Sequence, residues 1–260
     1  MPPRLARRGW RVVIGALPRL SRRTLAAVIT QLYTMQTVIE ALACADAGAD
    51  HVGITPPHGG LPGEVPVRLA AEIVRAVGRR AKTVVLTVWT DPVAVAELVD
   101  ATRPAILHLC PPAHLTSPAQ VERLRLRLPG VPVMQAVSVT GPESVAEALA
   151  YAEVVDYLIL DTQDSRIGGV GASGATHDWR VSREIVRAVR VPVILAGGLS
   201  PENVAEAIRA VRPWGVDSLT WTNQALPGGS FRKDLDRVRA FVAAARGALG
   251  DDPDLRADPD

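Results

Sequence analysis

Cysteine is nearly absent from this chain: among 260 residues only Cys44 and Cys110 occur, and they form neither a ligand cluster nor a framework of paired spacings. That excludes a disulfide-stapled scaffold and a cysteine-built zinc site, and it suits a reducing, cytoplasmic setting. Charge of one sign is also missing. The 29 Lys and Arg against 27 Asp and Glu leave a formal net charge of +2, so charge gives no case for nucleic acid or a membrane as a partner. No apolar run is long and charge-free enough to span a bilayer. Apolar residues are plentiful, at 48%, enough for a large core in one α/β barrel or two small domains.

The two ends differ from the rest. Residues 1–23 carry Arg4, Arg7, Arg8, Arg11, Arg19, Arg22 and Arg23 around a short apolar patch, Val12 to Leu17. They read as a loosely ordered basic extension or an over-long start. A targeting signal is the alternative, with a weak apolar stretch and no convincing small-residue cleavage site. Residues 249–260 are acidic and contain proline, the composition of a disordered tail. The folded unit is therefore expected over 24–248.

Within it the pattern alternates. Runs rich in Val, Ile, Leu and Thr predict strands at 27–33, 51–56, 82–88, 105–110, 131–138, 157–162, 191–196 and 215–222. Helical patterns follow at 37–47, 66–79, 92–101, 118–128, 142–152, 180–189, 201–211 and 232–247. Pro66, Pro92, Pro118, Pro142 and Pro201 stand at or near first helical turns, where a missing N–H costs nothing. Eight strands alternating with eight helices imply a parallel sheet with right-handed crossovers. At this length a single (β/α)8 TIM barrel fits best; an open doubly wound sheet is the rival.

A barrel places its chemistry at the C-terminal ends of its strands. Those ends offer Tyr33, Gln36, Thr55, His58, Thr90, His108, Cys110, Gln135, Ser138, Asp161, Thr162, Thr220, Thr222 and Asn223. After strand seven, Gly197-Gly198 lead into Ser200-Pro201-Glu202, which can cap and open a helix. Glycines between a strand end and a helix N-terminus let backbone N–H groups approach an anion, a seat for phosphate. A tight βα turn with an ordinary cap would use the same residues. The loop from Gln163 to His177 contains four glycines, Gly171 and Gly174 among them, and can wrap an anion, fold over a ligand as a lid, or stand as a surface loop.

These segments resemble one family. Leu158 to Asp161, Gly171 to Trp179 and Leu195 to Ile208 are similar, in order and spacing, to phosphoribosylanthranilate isomerase, with its Leu-Leu-Asp strand, Gly-Gly-Thr-Gly-x-x-Phe-Asp-Trp loop and Leu-Ala-Gly-Gly-Leu-x-x-x-Asn-Val turn. Gly215-Val216-Asp217, Lys233-Asp234 and Gly48-Ala49-Asp50 also fit the pattern, so the resemblance covers roughly 28–245. It implies a TIM barrel that holds a phosphorylated sugar, as monomer or homodimer. The implied reaction is the metal-free, cofactor-free Amadori rearrangement of tryptophan biosynthesis. A general acid opens the ribose ring, and a base removes the C2 proton. Asp161 occupies the place of the acid. Gly171, Gly174, Gly197, Gly198, Thr220 and Thr222 fall in the loops that bind phosphate.

The N-terminal half departs from the pattern where the chemistry lies. Strand one of the family ends Lys-Ile-Cys-Gly, its cysteine being the base; here the stretch reads Gln31-Leu32-Tyr33-Thr34. The family arginine that contacts the anthranilate carboxylate falls at Gly60-Leu61-Pro62, leaving no guanidinium. Gln-Leu-His-Gly on strand four becomes His108-Leu109-Cys110-Pro111, and the glycine of the strand-eight phosphate loop becomes Trp221. Tyr33 and Cys110 are the candidates for a replacement base. Cys110 reads equally as a small buried hydrophobe, and its facing depends on strand register. His58 is a candidate anion contact in place of the arginine or a solvated loop histidine. His177 is expected to cap helix six or line the lid. The enzyme reading is an isomerase of phosphosugars. The alternative is a recruited barrel that binds a phosphorylated metabolite without catalysis, or acts on another phosphosugar.

Overall fold

The computed structural model describes residues 28–112, 115–162 and 176–249. The basic extension, the acidic tail from 250 and most of the glycine-rich loop, Gly171 and Gly174 included, lie outside the described residues.

Eight parallel strands close a barrel in sequential order. They are β1 (Ile29–Leu32), β2 (His51–Ile54), β3 (Lys82–Thr87), β4 (Ile106–Leu109), β5 (Val133–Ser138), β6 (Tyr157–Asp161), β7 (Val193–Leu195) and β8 (Gly215–Ser218). The helices between and after them are α1 (Val38–Asp46), α2 (Val67–Val77), α3 (Pro92–Thr102), α4 (Pro118–Arg125), α5 (Glu143–Ala152), α6 (Trp179–Ala188), α7 (Val204–Val211) and α8 (Leu235–Gly247). Their starts follow local chemistry. Thr37, Asp91, Asp178 and Asp234 each accept a backbone N–H of the first turn, and Ser117 with Gln120 forms a capping box ahead of α4.

Side-chain alternation splits each strand between two apolar layers. Leu32, Val52, Ile54, Val85, Leu107, Val137, Leu160 and Leu195 face the helices. Val84, Ile106, Met134, Ala136, Ile159, Ile194 and Ala196 fill the barrel interior together with Tyr33 and Cys110. Cys110 therefore points inward, on the same face as His108. Gln135 alternates with Val133 and Val137 and so faces the helix layer, which removes it from the strand-end set. The floor of the barrel is aromatic: Trp214 packs on His51 and Tyr157, with ring centroids 5.7 and 5.4 Å apart.

Two expectations fail at the C-terminal side. Strand eight ends at Ser218 and not at 222, because Thr220–Thr222 turns as a short 3-10 segment. Next comes an antiparallel hairpin, β9 (Asn223–Ala225) with β10 (Phe231–Lys233), so α8 begins after it. Three-residue strands are too short to show a period of two, and only the Pro227-Gly228-Gly229 turn marked them. The second concerns α7. Ser200 accepts the Glu202 N–H at 3.2 Å, as a cap should, yet the regular helix starts only at Val204, after a separate turn. Among the described residues no helix is long and apolar enough to cross a membrane.

Candidate active site

Asp161 ends β6 and shares one cleft with Gly197, Gly198, Asp217, Thr220 and Trp221. Its Oδ1 accepts the Thr162 N–H at 2.7 Å. Burial lifts its carboxyl to about 7, against the partial pull of that hydrogen bond. Asp161 can therefore hold or release a proton near neutral pH.

A partly buried chain of polar groups stands behind it. Thr162 Oγ1 lies 3.2 Å from His177 Nδ1, and His177 Nε2 lies 2.6 Å from Ser182 Oγ. Burial lowers the His177 imidazole to about 4, so it is a neutral strut. It does not cap α6; that role belongs to Asp178. Above this strut the chain turns through Gly197 at φ +81° and Gly198 at φ +64°. A Cβ on Gly197 would lie 2.5 Å from Thr162 Oγ1 and 3.3 Å from Asp161 Oδ1, so only glycine brings this turn so near the acid. Asn203 locks the turn, accepting from Ser200 N at 2.8 Å and donating to the Gly198 carbonyl at 3.0 Å. The Gly197 and Gly198 N–H groups donate to no acceptor among the described residues. Arg237 ties the neighbouring loop down, donating to the Trp221 carbonyl at 2.6 Å and to Glu202 at 2.9 Å.

In the sequence Asp217 stands out only as part of the family motif. It points into the barrel from β8, is 7% exposed, and its Oδ1 has no hydrogen-bond partner among the described residues. Burial first and the Asp161 carboxylate second push it up to about 8, with Gln31 and Lys233 offsetting part of the rise. Two carboxyls in one cleft cannot both ionise cheaply, so near neutral pH they titrate as a pair. The signal in the sequence is a carboxylate inside the strand-eight run from Gly215 to Ser218, which by itself gives it no weight.

The other candidates fare unequally. The Tyr33 ring lies across Gly53, whose absent Cβ would sit 2.2 Å from it. Its hydroxyl meets His108 Nδ1 at 2.9 Å. Burial, then Asp217 and Cys110, raise the phenol well above its usual value, while burial drops His108 to about 3. The phenol thus stays protonated and its imidazole partner is a very weak base, which removes Tyr33 as the general base. Cys110 is 3% exposed, packed in the interior cluster and not among the residues lining the Asp161 cleft.

Thr220 is exposed at the cleft, whereas the Thr222 hydroxyl donates to the Leu219 carbonyl and accepts from Lys233 Nζ, so it serves the hairpin and not a phosphate. The buried Lys233 also donates to the Tyr33 carbonyl and to Asn223 Oδ1, pinning β10 under the end of β1. His58 Nε2 donates to the Leu86 carbonyl at 3.2 Å and its ring meets Trp89 edge-on at 4.9 Å. Burial lowers its pKa, so it offers no cation in place of the missing arginine. Around it the Gly59, Gly60 and Leu61 N–H groups converge on the Glu64 carboxylate at 3.3, 3.0 and 2.8 Å. Among the described residues no group of three or more His, Cys, Asp or Glu could hold a metal ion.

Residues 119–243 match the family model described as N-(5'phosphoribosyl)anthranilate (PRA) isomerase. A protein of Methanocella arvoryzae named N-(5'-phosphoribosyl)anthranilate isomerase is 38% identical over 217 residues, covering 80% of this chain and 92% of that one. Its namesake in Haloferax volcanii is 40% identical over 211 residues, with 80% and 89% covered. Among solved structures, phosphoribosyl anthranilate isomerase of Thermotoga maritima superposes with a TM-score of 0.69 at 27% identity, over 85% of this chain and 99% of that one. A further phosphoribosyl anthranilate isomerase structure, in complex with reduced 1-(o-carboxyphenylamino)-1-deoxyribulose 5-phosphate, gives 0.66 at 25%, over 85% and 99%.

Proposed function

The chain belongs to the N-(5'-phosphoribosyl)anthranilate isomerase family, and from that premise we propose that it converts phosphoribosylanthranilate to its ketose isomer with Asp161 as the general acid. The observation that carries this reading is the Asp161 carboxyl, held near neutrality in a cleft walled by the glycine turn. Its proton goes to the ribose ring oxygen as the anilino nitrogen pushes that oxygen off C1. The ring opens to an iminium, and loss of the C2 proton gives an enolamine that tautomerises to the ketone.

The phosphate sits on the Gly197 and Gly198 N–H groups, which point at no other acceptor among the described residues. Asn203 and the Arg237–Glu202 pair hold that cradle in shape. Thr220 lies at its edge. The exposed indole of Trp221, 45% accessible, stands where the family has glycine and covers one side of the approach. A barrel kept only to bind a metabolite would have no use for a carboxyl raised this far, since a neutral side chain would fit the site at less cost.

The test is steady-state turnover of freshly generated phosphoribosylanthranilate, followed by loss of substrate fluorescence. Turnover that disappears in Asp161→Asn supports the reading. Turnover unchanged in that variant removes Asp161 from the mechanism, and none in folded wild-type protein removes the reaction.

A further inference from the structure

The family base is a cysteine, and position 33 here is a tyrosine whose phenol is locked against His108. We propose that Asp217 takes the C2 proton in its place, so that the isomerisation runs on the two carboxyls of one cleft. The assignment rests on the isomerase reading above and concerns only which group acts as base.

Three observations support it. Asp217 lines the cleft that holds Asp161 and the glycine turn, whereas Cys110 does not. Its Oδ1 is buried and has no hydrogen-bond partner within bonding distance among the described residues, while the Gln31 side chain acts on the carboxyl from β1, so an acceptor position stays open. The third lies in the register of the barrel. Asp217 pairs across the strands with Gln31, which stands at the lysine of the family's Lys-Ile-Cys-Gly stretch. A lysine there would put an ammonium beside the carboxylate and hold it ionised as a weak base. Here Gln31 and Tyr33 stand in place of that lysine and cysteine, so the cross-strand neighbour of the carboxyl is a neutral amide, and Lys233 is the cation that acts on it.

With Asp161 at about 7 and Asp217 at about 8, the pair's single proton rests mainly on Asp217, and the reacting form is the minor one, about a tenth of the singly protonated pair, with the proton on Asp161. Asp161 on β6 raises the Asp217 pKa, and the protonated phenol of Tyr33 on β1 and neutral Gln31 add no charge. Lys233 on β10 lowers it only in part, because Nζ is already bound by the Tyr33 carbonyl, Thr222 and Asn223 and is shared electrostatically with Glu40 and Cys44. The proton count closes. One proton leaves Asp161 for the ring oxygen, and one arrives at Asp217 from C2. The C–H pair becomes the C1=C2 bond and the iminium electrons return to nitrogen. The pair holds a single proton before and after.

The experiment compares Asp217→Asn with Cys110→Ala, using substrate carrying hydrogen or deuterium at ribose C2. Asp217→Asn is expected to lower kcat by at least about a thousandfold with KM within about threefold, whereas Cys110→Ala keeps kcat within about threefold. Activity retained in Asp217→Asn, or lost in Cys110→Ala, overturns the assignment while wild-type turnover and its loss in Asp161→Asn leave the isomerase reading standing. No turnover in wild type overturns both.

Gln31→Lys decides the matter even if Asp217→Asn does not fold. The new ammonium should move the acid limb of the kcat/KM profile down by about a pH unit or more and shrink the C2 isotope effect less than it shrinks kcat. An unmoved limb overturns the role of Asp217.

Discussion

Replacing Asp161 by asparagine should stabilise the protein while abolishing its activity, and the size of the gain should depend on pH in a calculable way. The folded carboxyl titrates at about 7 and the ordinary value is 3.8. A raised folded pKa means that the native state binds the proton more tightly than the unfolded chain does. Between the two values the unfolded chain ionises first, so stability falls as pH climbs and levels off once the native carboxyl has also ionised.

At about 1.4 kcal/mol per unit, going from about pH 5 to about pH 8 removes about 2 to 3 kcal/mol through this one group. Asparagine cannot ionise, keeps the acceptor for the Thr162 N–H, and removes the charge that raises Asp217. The buried histidines act oppositely. His51 and His177 have folded values near 4, so they add stability as pH rises through about 4 to 6.5, equally in both proteins. Urea unfolding of wild type and Asp161→Asn at about pH 5 and about pH 8 gives the difference directly. A variant no more stable than wild type at the higher pH, or a gap that does not widen by at least about 1 kcal/mol, refutes the reasoning.

Three further substitutions probe the supports of the site. Gly197→Ala forces a Cβ to within 2.5 Å of Thr162 Oγ1 at a positive φ, so Tm should fall and inorganic phosphate should no longer raise it; a normal phosphate-dependent rise in the variant contradicts the seat. His177→Ala strips the Ser182 hydroxyl of a 2.6 Å partner in a fully buried position, a loss of about 1 to 3 kcal/mol visible as a Tm drop of at least about 3 °C in calorimetry. Gly53→Ala drives a methyl to 2.2 Å from the Tyr33 ring and should cost about 1 to 3 kcal/mol in chemical unfolding; no measurable cost would mean the ring does not lie there.

The fold was legible because each unit declared itself twice, once in an apolar strand and once in a capped or proline-started helix. All eight strands and eight helices stand where the alternation put them, within a few residues. The hairpin after β8 was not legible, since its strands are three residues long and it is held by a buried lysine whose partners come from β1 and from the hairpin itself.

At the site, Asp161 and the glycine turn could be read from local pattern, because a strand end followed by glycines and a helix start has a physical meaning by itself. Asp217 could not be weighed. What distinguishes it is the company it keeps across the barrel: Asp161 from β6 and Gln31 paired across from β1. For the same reason Tyr33 looked like a candidate in sequence and is not one in space. Burial raises its phenol, and Asp217 and Cys110 raise it further. Gln36, Thr222 and Asn223 likewise looked like cleft groups and instead hold the hairpin.

The pH profile of kcat/KM for phosphoribosylanthranilate tests the account most directly. A carboxyl pair that works with one shared proton, its members at about 7 and about 8, gives a bell centred near neutral to slightly alkaline pH. The acid limb should disappear from the residual activity of Asp217→Asn. Activity that rises through the thiol range and stays high, unaltered by Asp217→Asn and lost on alkylation of Cys110, would contradict it.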